Sequence, residues 1–414
     1  MTSSNGVSKV FLGDAFHIGP NNSLVHKIKK VWKKAELDNW IERGDRVLIK
    51  SHFGSVGATQ VLRPVYHREL VDLVKGYGGF PVVAETCGLG LRGGSAFEGR
   101  GTLPDYLYAA IKNGHSPGTL GAPVVMIDGY FGTETIDVPV NGKHLTQVHM
   151  AAGLVDFNKI IITSRFKGHA GMAFGGALKQ LGIGCVGKQG KARVHWGDNG
   201  NLFVKSPENC TQCGKCLKFC PKRCLTLEQG KIQLDKDHCI MCGHCYSVCK
   251  PDNDPNKRVF GLRKKILRNE QVERMMDNVK GLIDAIGTMN LVYLNIAIDI
   301  GVTCDCAPYA LPSLVPDQGV FLSEDPLAID KACFDLVTKA TGSPGSPLER
   351  GIPLEGAPAA APELMGAGKI KLGPMSTLIE ENLRPFLAQT QLEYAATVGI
   401  GNLEYELISI DHDQ

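Results

Sequence analysis

The sequence predicts an α/β protein built on a mostly parallel sheet and interrupted by a small cysteine-rich α+β insertion. Three observations predict it. Short β-rich apolar runs alternate with helical stretches, the pattern of βαβ units and a buried parallel sheet. Two matching runs of four cysteines sit together in the middle of the chain, in a segment with few long apolar runs. Beyond them the strand pattern resumes at Leu291, so a single α/β domain brackets the insertion.

In chain order, strands are predicted at 46–50, 80–85, 124–128, 159–163 and 291–300, and helices at 24–34, 65–77, 103–113, 270–286 and 376–398. The expected division is a first α/β part at 1–202, the insertion at 203–255 and a second α/β part at 256–414. Residues 341–375, rich in Pro, Gly and Ala, read as an irregular surface loop. The basic cluster at 257–265 reads as a solvated face, with a docking patch for an acidic partner as the alternative.

The whole chain is ordinary in composition: 414 residues, 43% hydrophobic and 21% charged. A formal charge of +3 is too small to argue for nucleic acid. No run of 18 apolar residues suggests a membrane span. Residues 1–12 lack the pattern of a secretory signal, so a cytoplasmic location is expected.

Fourteen cysteines in such a chain do not read as disulfides. Cys210, Cys213, Cys216 and Cys220 form one run, followed by Pro221; Cys239, Cys242, Cys245 and Cys249 form the second. Each reads C-x2-C-x2-C-x3-C. Three closely spaced thiolates can wrap three corners of one iron–sulfur cubane, and the fourth cysteine of each run ligates the other cluster. Two 4Fe–4S clusters are therefore expected, one on Cys210, Cys213, Cys216 and Cys249, the other on Cys239, Cys242, Cys245 and Cys220. A zinc ribbon would use two C-x2-C pairs and leave four regularly placed cysteines unexplained. Cys224, just past the first run, reads as a small packing side chain.

In open α/β sheets ligands bind beyond the carboxyl ends of the strands. There the predicted strands deliver Lys50 and His52, then Glu85 and Cys87, then Asp128, then Lys167 and His169, and finally Cys304, Asp305 and Cys306. Each has an ordinary alternative: a carbonyl cap for Lys50, a core histidine for His52, turn chemistry for Asp128, a buried small side chain for Cys87. Gly168, between Lys167 and His169, suits close backbone approach to a ligand. Lys50, Lys167 and His169 are the expected reaction-site residues, the lysines holding an anionic group and the histidine supplying a proton. Cys304 and Cys306 are expected to hold a soft metal ion or third centre, with Cys87 or His169 as a further ligand, provided the chain turns at Asp305. The segment 171–195 carries seven glycines interleaved with Lys179, Cys185, Lys188, Lys191 and His195. Such density implies close backbone approach: to an anionic cofactor at a helix N-terminus, with Gly175, Gly176 and Lys179 as its holders, to the clusters, or to a tight packing surface. No G-x-G-x-x-G follows a strand and no Walker motif is present, so no dinucleotide or nucleoside triphosphate site is expected.

On these residues the chain resembles the family called domain of unknown function 362, in its ferredoxin-containing form. The carrying segments are residues 47–54 (VLIKSHFG), 164–191 with His195, the two cysteine runs, 304–306 (CDC), 315–320 (VPDQGV), 323–330 (SEDPLAID) and 399–408 (GIGNLEYELI). The resemblance implies an α/β domain, a ferredoxin insertion and anaerobic redox chemistry, and supplies no substrate. This chain departs from the family pattern at Ser55, where members carry Glu, and at Cys87, in a turn where members carry an aspartate.

The expected function is an iron–sulfur oxidoreductase that moves low-potential electrons to a substrate or second cofactor at the sheet edge. The alternative is an electron-transfer or maturation subunit without a substrate of its own. A redox partner (ferredoxin, flavodoxin or a reductase) is expected. A small-molecule substrate, an additional metal or flavin and a homo-oligomer are left open.

Overall fold

The computed structural model describes residues 6–16, 19–90, 99–169, 172–198, 201–263, 266–302, 304–308, 310–346 and 385–411. Eight strands share one sheet: β1 (Ser8–Asp14), β2 (Arg46–Lys50), β3 (Phe80–Glu85), β4 (Val124–Met126), β5 (Lys159–Arg165), β6 (Leu291–Ala297), β7 (Gly319–Ser323) and β8 (Tyr405–Ser409). Their spatial order is β8-β1-β7-β6-β5-β2-β3-β4. β7 runs antiparallel to β1 and β6. Every other pairing is parallel. The mostly parallel α/β sheet predicted from the sequence is thus observed.

The central strands are apolar almost without interruption because both faces are covered. Leu48, Ile160 and Ile162 face a core shared with Leu178, Val272 and Met275, from the helices Ala177–Gly182 and Arg268–Ile286. Val47, Ile49 and Ile161 face the opposite core, with Ile28, Leu70 and Tyr106 from Leu24–Lys34, Pro64–Gly76 and Leu103–Lys112. The order in which strands are added reverses between β2 and β5, which run parallel: β3 and β4 are laid down on one side, β6 on the other. Such a switch point opens a crevice at the carboxyl ends of the strands. Lys50 ends β2, Glu85 ends β3, and Arg165 ends β5.

β5 and β6 are hydrogen-bonded neighbours although the cysteine runs lie between them in sequence. That intervening chain includes a small unit of its own. Asn201–Val204 pairs antiparallel with Phe260–Arg263, and Leu225–Glu228 with Lys231–Leu234. Two short helices, Lys215–Lys218 and His244–Val248, complete it, around Leu202, Leu225, Ile232, Val259 and Phe260.

Some elements differ from expectation. β4 stops at Met126 and leaves Asp128 in a turn; β6 stops at Ala297. β1, β7, β8 and the helix Pro326–Lys339 were not predicted. Of the helix expected at 376–398 the described part is Pro385–Thr397; 376–384, and 347–375 of the expected loop, lie outside the described residues. The glycine-rich segment presses on the protein itself: a Cβ on Gly182 would sit 2.6 Å from the carbonyl of Met275. Among the described residues, no helix is long and apolar enough to cross a membrane.

Asp325 ties the late elements to the first strand. Its carboxylate caps the helix Pro326–Lys339 by accepting from the Leu327 and Ala328 amides at 2.8 and 3.0 Å. The other oxygen accepts from Ser8 Oγ at 2.7 Å and from the Asn402 amide at 2.8 Å. Asp325→Ala is expected to cost about 2 kcal/mol, the upper end for losing an N-cap, since more than the cap is lost. Anaerobic urea unfolding should show the drop in midpoint; an unchanged midpoint would contradict this role.

Candidate functional site

The two cysteine loops share a backbone conformation. Gln212 and Gly214 in the first, and Met241 and Gly243 in the second, have φ of 54°, 69°, 56° and 77°. These left-handed residues turn backbone N–H groups towards the sulfurs. Lys215 N–H reaches Cys213, Met241 N–H reaches Cys239, and His244 N–H reaches Cys242. From outside the loops, the Val259 amide donates to Cys249 Sγ at 3.3 Å.

The thiols fall into two groups that cross between the runs. Burial and the neighbouring Cys249, Cys210 and Cys213 push Cys216 up to about 11. Burial and Cys242, Cys239 and Cys220 push Cys245 well above the ordinary thiol range. Cys220, Cys239, Cys242 and Cys245 line one cavity. Cys224, expected to be mere packing, lines it too, with its sulfur 3.4 Å from that of Cys220. The groups face differently: Cys213 is exposed, whereas Cys242 and Cys245 are buried.

The second group abuts the sheet edge. The Gly90 amide, a few residues past β3, donates to the Cys242 carbonyl at 2.9 Å. Lys188 Nζ donates to the Gly90 carbonyl at 3.0 Å and contacts the Gly101 carbonyl and His244 Nε2. Burial lowers Lys188 to about 8 and His244 to about 3. The Gly88 amide donates to the Arg100 carbonyl at 2.6 Å, and the Arg100 guanidinium lies 3.5 Å from Cys306 Sγ.

At the edge itself Glu85 is the hub. Lys50 Nζ is ion-paired to it. His52 Nδ1 lies 2.7 Å from its second oxygen, Tyr106 Oη donates to the same oxygen at 3.2 Å, and the Thr86 amide donates to the first at 2.8 Å. Burial alone would raise Glu85; the charge of Lys50 and the hydrogen bond from His52 outweigh it and hold the carboxyl well below the usual range. Asp305 behaves likewise: burial raises it, while Arg165 and Lys167 hold it well down. Lys167 Nζ lies 3.2 Å from Asp305 and Arg165 is paired to it.

Cys304 and Cys306 flank Asp305 in a turn closed by the Ala307 amide and the Cys304 carbonyl at 2.9 Å. Their sulfurs lie 3.1 Å apart, Cys306 Sγ is 3.6 Å from His52 Nε2, and Lys179 Nζ is 3.9 Å from Cys304 Sγ. The hydrogen bond between Cys306 and Cys304, with Lys179 and Lys167 nearby, lowers Cys304 despite its partial burial. His169, on the hairpin of Lys167–His169 and Ala173–Gly175, accepts from the Met172 amide at 3.1 Å through Nδ1. Burial and Lys179 hold it well below the usual histidine range. Beside this hairpin lies an apolar cavity walled by Phe166, Phe174, Ile300, Leu314 and Phe334.

The expected residues therefore divide. Lys50, His52 and Glu85 form one network, and Lys167, Lys179, Asp305, Cys304 and Cys306 a second; His52 joins the two through Cys306. His169 feels Cys306, Lys167 and Lys179. Cys87, offered as a ligand beside the thiol pair, points elsewhere: its sulfur faces the Gly129 carbonyl and its amide donates to Asp128. Gly175 and Gly176 do not frame an open anion site, because the amides of Ala177 and Leu178 are taken at 2.7 and 3.0 Å by Asp330. Arg100, Tyr106 and Arg165 were not foreseen. Arg165 had a signal, two places before Lys167 at the carboxyl end of β5; Arg100 and Tyr106 had none.

A family model, "Domain of unknown function (DUF362)", matches residues 47–335. A "Ferredoxin-like protein" of Azotobacter vinelandii is 36% identical over 53 residues, covering 12% of this chain and 56% of that protein. An "NADH-quinone oxidoreductase subunit I 2" of Geobacter metallireducens is 33% identical over 57 residues, covering 11% of this chain and 44% of that protein. The chain thus spans about half the length of the curated relatives it matches. The lactate racemase apoprotein from Thermoanaerobacterium thermosaccharolyticum aligns structurally over 72% of this chain and 52% of that chain at 13% identity, with a TM-score of 0.30, a likeness that carries no argument.

Lys50→Met would leave Glu85 buried without its cation and is expected to cost about 3–5 kcal/mol. Adding Glu85→Gln should return part of that loss, measured by anaerobic denaturation. In the wild type, Glu85 and Asp305 are both depressed. Their stabilisation is therefore complete above the ordinary carboxylate range and is lost as pH falls below it, towards their folded values.

Proposed function

The chain belongs to the family described as domain of unknown function, DUF362, and on that premise we propose that it is an iron–sulfur oxidoreductase carrying two 4Fe–4S clusters. The observation that carries this reading is the crossed grouping of eight thiols. Cys249 of the second run is a charge neighbour of Cys216, and Cys220 of the first run lines one cavity with Cys239, Cys242 and Cys245. The donor set fits cubanes: four sulfurs per group, backbone N–H groups turned on them, and one common cavity for the second group. A zinc ribbon would pair C-x2-C with C-x2-C and leave Cys216, Cys220, Cys245 and Cys249 over.

Cys210, Cys213, Cys216 and Cys249 would hold one cluster, and Cys220, Cys239, Cys242 and Cys245 the other. When bound, such clusters supply one-electron transfer at low potential. The proposed module spans 203–255 as an insertion between 1–202 and 256–414. Exposed Cys213 opens the first group to an external redox protein, such as a ferredoxin, flavodoxin or reductase. The second group's contact through Gly90 places it against the sheet edge. At that edge Lys50 keeps Glu85 ionised, Lys167 offers a cation to an anionic substrate, and His169 carries its proton on Nε2, since Nδ1 accepts from Met172. In that neutral state the ring can donate a hydrogen bond to a bound substrate.

Anaerobically purified protein should contain about eight iron and about eight sulfide per chain. Cys249→Ser should damage the cluster on Cys210, Cys213 and Cys216 rather than the one on its own run. Zinc in place of iron, without visible absorption, would defeat the assignment.

Lys167→Ala and His169→Ala should retain both clusters and their bleaching by dithionite, yet lose reoxidation of the reduced protein by a turnover substrate. Loss of the clusters in both variants would instead favour a structural role for the hairpin and a carrier role for the chain.

A further inference from the structure

We propose that His52, Cys304 and Cys306 form a binding site for a single divalent metal ion, zinc or iron(II), distinct from the two cysteine groups of the insertion. The site stands on its own residues; only a role for it as destination of the electrons rests on the cluster reading.

The three ligand atoms lie within 4.8 Å of one another. A tetrahedral ion with Zn–S near 2.3 Å and Zn–N near 2.0 Å needs its ligand atoms about 3.5–4 Å apart. The 3.1 Å and 3.6 Å separations at Cys306 already approach that. The turn at Asp305 brings both sulfurs to one side, and sends the Asp305 carboxylate the other way, to Arg165 and Lys167.

The histidine is prepared for such a role. Ionised Glu85 can only accept, so the 2.7 Å contact requires a hydrogen on His52 Nδ1. In the neutral ring the lone pair is then on Nε2, the atom that faces the sulfurs. Lys50 fixes Glu85 in that ionised form through a buried ion pair. Carboxylate, histidine and metal in series is the usual outer shell of a metal-bound imidazole.

Each of the other two ligands also has an outer partner. Arg100 Nη1 lies 3.5 Å from Cys306 Sγ, and Lys179 Nζ lies 3.9 Å from Cys304 Sγ. Cations at these positions offset the negative charge that two metal-bound sulfurs bring. Three protein ligands leave one position of a tetrahedron for solvent or substrate, the arrangement of reactive rather than structural sites. His52, Cys304 and Cys306 are all partly exposed, so a ligand can reach that position.

The test loads the anaerobic full-length protein with zinc(II), removes free metal by desalting, and counts retained zinc alongside iron and sulfide. X-ray absorption at the zinc edge then reads the ligands. The expected result is one zinc per chain with two sulfur neighbours and a histidine nitrogen, without loss of iron. Cys304→Ser/Cys306→Ser and His52→Ala should lose that zinc while keeping the iron. Glu85→Gln should weaken it by about 10–100-fold. Equal zinc in wild type and the double variant, an all-sulfur zinc environment, or a wild-type Cys304–Cys306 disulfide under the same anaerobic conditions would overturn the proposal. Absence of iron with this zinc still bound would instead refute the cluster reading and leave the metal site standing.

Discussion

A carboxylate cannot stay charged at the end of a buried strand unless other groups satisfy it, and Glu85 determines much of what surrounds it. One oxygen takes the Lys50 ammonium and the Thr86 amide; the other takes His52 and the Tyr106 hydroxyl. Two adjacent parallel strands, β2 and β3, are thereby locked at their carboxyl ends, and the His52 ring is held with its far nitrogen outward. The cost of removing these charges from water is large, and only full pairing makes it tolerable. Such an arrangement is poor value as a stabilising device, since apolar side chains would fill the space as well. Its use is to fix the orientation of the groups that face outward from it.

The same logic extends along the edge. Lys50, Arg100, Arg165, Lys167, Lys188 and Lys191 are buried there, against the buried carboxylates Glu85, Asp128 and Asp305. Lys50, Arg165 and Lys167 are matched to carboxylates at close range, and Lys191 lies 3.9 Å from Asp128. Arg100 and Lys188 look instead to Cys306 and to the cysteine loops. The positive balance suits thiolates, anionic clusters and an anionic substrate. It also joins the two halves of the proposed machinery, because Lys188 and the Gly90 amide meet the second cysteine group on one side while Arg100 meets the thiol pair on the other.

Much of this was legible in the sequence for identifiable reasons. β2, β3, β5 and β6 are doubly buried, so their apolar runs stand out, and the residues at their carboxyl ends could be named in advance. The cysteine spacing is regular enough to mark a ferredoxin-like segment from the sequence alone. β8 was not legible because its side chains are partly exposed at a sheet edge and show no strong pattern. β7 is as long as β2 and wholly buried; its antiparallel direction is the property no local pattern encodes. At the site, Arg100 and Tyr106 approach from the far side of a turn and a helix. Their partnership with Cys306 and Glu85 exists only after folding. The glycine-rich segment misled for a physical reason as well: close backbone approach leaves the same sequence mark whether the other surface is a cofactor or the protein's own helix, as Gly182 against Met275 shows.

In the proposed function the eight thiols hold two electron-carrying centres side by side, one open to a partner and one against the sheet edge. Electron paramagnetic resonance of the dithionite-reduced, anaerobic full-length protein at low temperature tests it most directly. The expected spectrum is that of two reduced cubanes that perturb one another, integrating to about two spins per chain. A spectrum from one isolated cluster, or a silent protein that binds zinc at these cysteines, would contradict it.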